Sequence, residues 1–372
     1  MLPSTPASAR SLTGVAGELI TALKGGEGPL KPARSVVLVV IDGLGAIQLR
    51  AHAGHARHLT AGLGKKDVAY SVFPTTTAAA LTSVLTGVEP GTHGLVGYNV
   101  LDRSRDVLVN QLSGWESHGL DPAAWQPSPT IFEQAVDAGF SSYAVGVAAY
   151  ATSGFTRATL RGARFVAASS PAERVALAYQ IAADVPGSLI YCYLPEVDKA
   201  GHKHGVGSAQ WIHALEDIDG ALALIPPKQV GVLITADHGM IDVPAHRHVV
   251  LNEGDPRLGS VRHIGGEPRM LHVYLEASAD PNAELDIWRR ESDGDADVLS
   301  RSEAVTSGLF GAETTADADS RIGDILVIAR GNKAFYDGTS PDQRARGMIG
   351  QHGALTPEER QVPYIRRGEF AG

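Results

Sequence analysis

The sequence predicts an α/β protein with a doubly wound, mainly parallel central sheet, helices on both faces, and a small α+β insertion. Three observations carry this expectation. Ser35-Val-Val-Leu-Val-Val-Ile41 is an unbroken, largely β-branched run, the pattern of a strand buried on both faces of a parallel sheet. Apolar runs recur at 143–147, 188–194 and 230–235, alternating with helix-like segments at 130–138, 172–183 and 208–224. After about residue 240 the alternation lapses into stretches rich in Asp, Gly and Ala, as an insertion would produce.

The 372 residues, 44% of them hydrophobic, suffice for one large domain or a core with an insertion. Residues 1–34 read as a peripheral N-terminal lead and helix, 35–261 together with 319–372 as the α/β core, and 262–318 as the insertion. The formal charge is −9 and the 32 basic residues form no run, so no nucleic acid polymer is expected as a partner. The single cysteine, Cys192, sits in an apolar strand-like run and reads as a buried, inert thiol. No stretch approaches the roughly 18 to 20 apolar residues of a membrane helix, and the first residues lack a continuous apolar signal region. A soluble, cytoplasmic protein is the expectation.

In the core, the first strand stops at Asp42-Gly43. An acid at the carboxyl end of such a strand lies where α/β sheets bind ligands, although Asp-Gly is also an ordinary turn pair. His52, His55 and His58 follow at helical spacing without an acid or cysteine among them and read as a solvated face. A short run at 68–73 leads to Phe73-Pro-Thr-Thr-Thr77, after which 78–85 reads as a helix closed by Gly87 and the Glu89-Pro90-Gly91 turn. Thr75, Thr76 and Thr77 therefore occupy a helix N-terminus, where free N–H groups suit an anion and where threonine is also a common cap.

The 188–194 strand delivers Asp198 and, one helical turn later, His202; the 230–235 strand delivers Asp237-His238-Gly239. Beyond them a strand is expected at 271–275, a helix at 284–290, and a strand at 324–329 that rejoins the main sheet. His352 comes last, between glycines, whereas His204 and His213 read as surface or supporting residues.

Each acid and histidine has a bland explanation alone. Together, Asp42, Asp198 and Asp237 with His202, His238 and His352 place three carboxylates and three imidazoles, most of them at strand exits on one edge of one sheet. Cations between them relieve that cost, and two divalent ions with about three protein ligands each would do so. Nitrogen and oxygen donors without sulfur favour zinc, with manganese or iron as alternatives. Two dications against three aspartates leave the site slightly positive, suited to a phosphate-type anion, and coordination activates an otherwise weak threonine nucleophile. No Cys-His pair or Gly-x-Ser-x-Gly motif competes.

The ordered set Ile41-Asp42-Gly43, Phe73 to Thr77 with Leu85-Thr86-Gly87 and His93-Gly94, Asp198-x-x-x-His202, Asp237-His238-Gly239-Met240 and His352-Gly353 resembles the alkaline phosphatase superfamily, in its type I phosphodiesterase/nucleotide pyrophosphatase branch. The resemblance implies an alkaline phosphatase-like fold and a dinuclear zinc site. One ion would be held by Asp198, His202 and His352, the other by Asp42, Asp237 and His238 with the nucleophile. The family's spacing to the Thr86-Gly87 pair points to Thr77 as that nucleophile. It implies in-line attack on phosphorus, a phospho-threonine intermediate and its hydrolysis. Asn99, one position off the spacing in the eukaryotic enzymes, is the candidate asparagine for the non-bridging oxygens.

The implied substrate is a small phosphoester or nucleotide-like molecule, cleaved at a phosphodiester or pyrophosphate bond. A phosphomonoesterase or phosphonate hydrolase on the same site, and a non-catalytic metal- or nucleotide-binding module, are the alternatives. No Cys/Ser-x-Pro-x-Arg motif supports a sulfatase. Unlike the secreted or membrane-anchored, disulfide-bonded members, the chain is expected to carry neither a leader nor internal disulfides, and no aromatic pair in it is assigned to a base-stacking slot.

Overall fold

A computed structural model describes residue 6 and residues 9–371. Its main sheet has eight strands in the order Arg10–Ser11, Val68–Tyr70, Gln361–Gly368, Val230–Thr235, Ser35–Ile41, Ser188–Leu194, Ser141–Gly146 and Arg164–Ala167. Every pairing is parallel except those of Gln361–Gly368, which runs antiparallel to both neighbours. The helices Gly14–Leu23, Thr77–Thr86 and Ile131–Asp137 pack together as one layer, and Pro171–Asp184 with Ala209–Ala221 as the other. The doubly wound expectation therefore holds.

Local chemistry accounts for the elements that matter to the site. All seven residues of Ser35–Ile41 are buried, which is why the run can be apolar throughout rather than alternating. Thr130 and Ser170 each close a capping box with the glutamate three residues on, and Ser208 caps Ala209–Ala221. Gly87 ends Thr77–Thr86 with φ 79°, a left-handed conformation that a β-carbon would strain. Cys192 is buried in its strand, and burial pushes its thiol up to about 12, so it stays protonated and inert.

Three expectations are corrected. The strand at 324–329 does not rejoin the main sheet. Ile325–Ala329 belongs to a separate four-stranded antiparallel sheet, ordered Val261–Glu267, Met270–Leu275, Ile325–Ala329 and Ala296–Ser300. Its two faces are both covered: Ile325, Val327 and Ala329 join a cluster around Trp288, while Leu326 and Ile328 join one around Phe310. A continuous apolar run therefore looks the same here as in a central parallel strand, and the smaller lobe overruns the 262–318 bounds at both ends.

The N-terminal helix is not peripheral either, since Val15, Leu19, Ile20 and Leu23 are buried in the main core and Arg10–Ser11 extends the sheet. Most of the Ser/Pro/Ala lead lies outside the described residues. His52, His55 and His58 do not share a helical face, because Ala46–Ala51, a turn at Ala53–His55 and Arg57–Thr60 break the helix there. The His52 ring packs against Trp211 with centroids 4.9 Å apart, and His55 Nδ1 lies 2.8 Å from Glu216. Among the described residues no helix is long and apolar enough to cross a membrane.

Two buried histidines act as struts. His93 accepts from the Leu95 N–H at 3.1 Å and contacts Ser83 Oγ at 2.9 Å, while His272 accepts from the Gly323 N–H at 3.0 Å and contacts the Val96 carbonyl at 3.0 Å. Burial pushes His93 down to about 3 and His272 down to about 4, from an ordinary value of 6.5. Both rings stay neutral in the folded chain and gain a proton on unfolding, so they do not change stability above pH 6.5 but lower it progressively below that value. His93→Gln should flatten the acid-side fall in unfolding free energy by up to about 1.4 kcal/mol per pH unit. Urea titrations at a series of pH values down to about 5 would read this, and an unchanged slope would contradict it.

Candidate metal centre and nucleophile

Backbone register brings the acids together. Ile41 pairs with Leu194 and Val40 with Thr235, so the central strand and its two neighbours end at nearly one level. Asp42 and Asp237 leave two of them directly, and Asp198 follows in the first turn of helix Glu196–His204, with His202 one turn on. His352 arrives from the segment after strand Gly350–Gln351. The six sequence-predicted groups thus meet around one point, in two adjoining sets.

In the first set, His238 Nε2 lies 3.5 Å from Asp42 Oδ1 and 3.5 Å from Asp237 Oδ2. Thr77 Oγ1 lies 3.1 Å from the same nitrogen. In the second, His202 Nε2 lies 3.3 Å from Asp198 Oδ1 and 3.2 Å from His352 Nε2, which is itself 3.9 Å from Asp198 Oδ1. The sets adjoin through the rings of His238 and His352, stacked with centroids 3.7 Å apart, and His238 also falls within 4.8 Å of ligand atoms of Asp198 and His352.

The surrounding hydrogen bonds fix which atoms face inward. The Nδ1 atoms of His238, His202 and His352 face the backbone carbonyls of Gly239, Gly350 and Thr75 at 3.1, 2.8 and 2.8 Å. A carbonyl only accepts, so each Nδ1 carries the proton and each Nε2 presents a lone pair. Asp237 Oδ1 accepts the N–H groups of Gly43 and His238 at 3.2 and 3.0 Å, and Asp42 Oδ2 accepts the Tyr193 hydroxyl. The opposite oxygens, Asp237 Oδ2 and Asp42 Oδ1, are buried without a hydrogen-bond partner, as is Asp198 Oδ1.

Lone pairs converging on lone pairs in a buried place are unfavourable unless cations lie between them. The donor atoms accordingly fit a metal centre, with mixed imidazole and carboxylate ligation. Electrostatics point the same way. Burial, then the neighbouring charges of Asp237 and Asp198, raise the Asp42 carboxyl well above its ordinary value, and burial foremost raises Asp237. Burial, then His238 and His202, push His352 well below the ordinary histidine value. A divalent cation would offset each of the like-charge costs among the acids.

The three threonines separate by partner. Thr75 Oγ1 donates to the Ala354 carbonyl at 2.9 Å and accepts the Gly353 N–H at 3.0 Å. Thr76 is the N-cap residue, yet its side chain makes no cap bond. Thr77 opens the helix and faces His238.

Asn99 begins strand Asn99–Asp102 and lines the same cavity of about 1230 Å³ as Asp42, Thr77, Asp198, His202 and His352, but its Nδ2 donates to the Gly266 carbonyl at 3.4 Å. His213 is exposed and pairs with Asp217 at 3.6 Å, and His204 is half-buried at the end of its helix.

Residues that sequence reasoning passed over also shape the site. Tyr193 reaches Asp42, and Glu267, at the end of a hairpin strand of the smaller lobe, places Oε2 3.6 Å from His352 Nδ1. Burial foremost raises the Glu267 carboxyl well above its ordinary value. Tyr98, Tyr150, Phe155 and Phe165 join the cavity wall from four different segments, a gathering no local sequence signal reveals.

The fold and the donor set define a candidate metal-centred α/β chain, and residues 36–355 match the family model described as "type I phosphodiesterase / nucleotide pyrophosphatase". The chain belongs to that family. It is similar to ectonucleotide pyrophosphatase/phosphodiesterase family member 3 of Rattus norvegicus, 28% identical over 63% of this chain, and to that of Mus musculus at 26%. Each alignment covers only 28% of the relative's length. Among solved structures, murine ectonucleotide pyrophosphatase/phosphodiesterase 5 superposes with TM-score 0.68 at 18% identity, covering 90% of this chain and 88% of that one. Phosphonoacetate hydrolase from Sinorhizobium meliloti 1021, in complex with phosphonoformate, does so with TM-score 0.66 at 20% identity, covering 91% of each chain. At these identities the likeness concerns the fold.

If these acids hold a metal ion, stability without it and affinity for it should oppose each other. Asp42→Asn removes a charge that burial and two neighbouring aspartates disfavour, so it should raise the melting temperature of chelator-treated protein and weaken zinc binding at least tenfold. Melting curves with chelator and with zinc check both halves. A variant destabilised in chelator would contradict the electrostatic account.

Proposed function

We propose that the protein is a metal-dependent hydrolase that cleaves phosphodiester or pyrophosphate bonds through attack by Thr77. The observation that carries this reading is the position of Thr77 Oγ1, at the first residue of a buried helix and 3.1 Å from His238 Nε2 beside two aspartates with open oxygens. Family membership supports it.

Asp42, Asp237 and His238 would hold one divalent ion and Asp198, His202 and His352 another, zinc in our reading, with manganese or iron as alternatives. Bound there, the ions would lower the pKa of the attacking hydroxyl and water and neutralise charge on the phosphoryl group. Thr77 attacks phosphorus in line, the P–O bond to the leaving group breaks, and the phosphoryl group rests on Thr77 Oγ1 until water displaces it. Thr77 and Ala78 precede the helix's own hydrogen-bond ladder, so their N–H groups can meet the non-bridging oxygens. Asn99 would join them by leaving the Gly266 carbonyl.

A phosphonate hydrolase on the same site is the second reading, because a phosphonoacetate hydrolase shares the fold over 91% of both chains. The cavity, at about 1230 Å³, exceeds the needs of so small a substrate and favours a bulkier leaving group.

The test compares an aryl phosphodiester, its monoester and phosphonoacetate with zinc-loaded protein. The diester should turn over fastest, Thr77→Ala should lose about 10³-fold or more in kcat, and acid quenching should trap on Thr77 the phosphoryl group still bearing the ester that did not leave. Undiminished turnover in Thr77→Ala would overturn the proposal, and preference for phosphonoacetate would select the second reading. Asn99→Ala should cost about 10²-fold in kcat if its amide serves the transition state; unchanged kcat would remove it from the mechanism.

A further inference from the structure

We infer that Tyr193 is a positioning residue for the metal centre: its hydroxyl holds Asp42 Oδ2 so that only Oδ1 is offered to an ion. This rests on the metal-dependent reading above and adds a determinant of affinity outside the six ligands.

Strand Ser188–Leu194 runs parallel beside Ser35–Ile41, with Val40 opposite Tyr193 and Ile41 opposite Leu194. The residue after Ile41 is therefore within reach of a long side chain on the neighbouring strand, and the Tyr193 hydroxyl donates to Asp42 Oδ2. Asp42 is 3% exposed, so water does not take over that role. Its other oxygen, Oδ1, is the unpartnered one and lies 3.5 Å from His238 Nε2. Without a donor on Oδ2, the carboxylate could rotate or offer both oxygens to one ion.

The ring cannot easily swing away. Tyr191 and Tyr193 point to the same face of the strand, two residues apart, and their rings stack at 6.1 Å and 20°. Tyr150 also packs against the Tyr193 ring, with centroids 6.2 Å apart and planes tilted by 59°. A half-buried donor flanked by two aromatic neighbours and bonded to a ligand is the arrangement by which groups behind the ligands tune metal affinity. Asp237 has the corresponding restraint from backbone, the Gly43 and His238 N–H groups on Oδ1. Asp42 has it from the Tyr193 hydroxyl on Oδ2.

Full-length protein stripped with chelator would be titrated with zinc against a competing chromophoric chelator, and with cobalt to record its visible spectrum. Tyr193→Phe keeps the ring and should bind zinc 10- to 100-fold more weakly, with an altered cobalt spectrum. Tyr191→Phe, which keeps the stack and whose hydroxyl makes no hydrogen bond to Asp42 Oδ2, should match the wild type. In an Asp42→Ala background, adding Tyr193→Phe should cost nothing further. Equal zinc affinity and cobalt spectra in wild type and Tyr193→Phe would overturn the inference, as would an undiminished effect without Asp42. If the phenylalanine variant does not fold, zinc should still perturb the near-ultraviolet tyrosine absorption of wild type and of Tyr191→Phe alike, and no perturbation would overturn it. A wild type that binds no metal at all would sink the metal-dependent reading itself.

Discussion

The level ends of three adjacent parallel strands are the constraint on which the site depends. Ser35–Ile41 is hydrogen-bonded on both sides, and its two registers set the heights at which Asp42, Asp237 and the helix bearing Asp198 emerge. A slip of two residues would move one acid by about 6.6 Å along the sheet and dismantle the cluster. The apolar bodies of the strands supply the burial, and burial makes the acids costly to one another. Packing energy in the sheet thus offsets a local repulsion, and that repulsion is what would give the site an affinity for cations.

His352 is held to this edge by a different device. Its Nδ1 faces the Thr75 carbonyl, and the following backbone exchanges two hydrogen bonds with the Thr75 hydroxyl, so the threonine segment and the late histidine clasp each other. Ala354 N–H also donates to Glu359, which forms a buried bidentate pair with Arg269 at 2.8 and 2.8 Å. Burial alone would raise Glu359, but the Arg269 charge and the donors around it hold the carboxyl below its ordinary value. Arg269 lies between the hairpin strands of the smaller lobe, so that lobe is coupled to the placement of His352. Breaking such a pair from one side leaves an uncompensated buried charge, worth about 3–5 kcal/mol.

What was legible in the sequence is what local chemistry encodes. Asp42 and Asp237 follow unmistakable buried runs, and capped helices announce themselves through Thr130, Ser170 and Ser208. What was hidden depends on pairing. Ile325–Ala329 has the same apolar density as a central strand, and only its partners distinguish the two sheets. Tyr193 lies in a strand apolar at nearly every position, where alternation says nothing about which face meets the site. Glu267 ends Val261–Glu267, a strand outside the expected 271–275 run, and its role depends on a lobe folding back onto a core more than 80 residues away in sequence. Asn99 reaches the cavity as expected, but its amide meets Gly266, a contact no spacing could foretell.

The threonines show how a common residue becomes a specific one. A threonine at a helix start usually caps it, and three in a row give the chain three chances to do so. None takes that role: Thr75 bridges to the His352 segment, Thr76 turns its hydroxyl toward Glu267, and Thr77 faces His238. The helix N-terminus is consequently buried without a side-chain cap, a condition that costs free energy unless something else meets its N–H groups. An anion is the complement of such an end, and Thr77 is the one hydroxyl of the three that would stand beside both that anion and the aspartates. The absent cap and the proposed nucleophile are two aspects of one local choice, in which the chain forgoes helix-end stability where a phosphoryl group would bind.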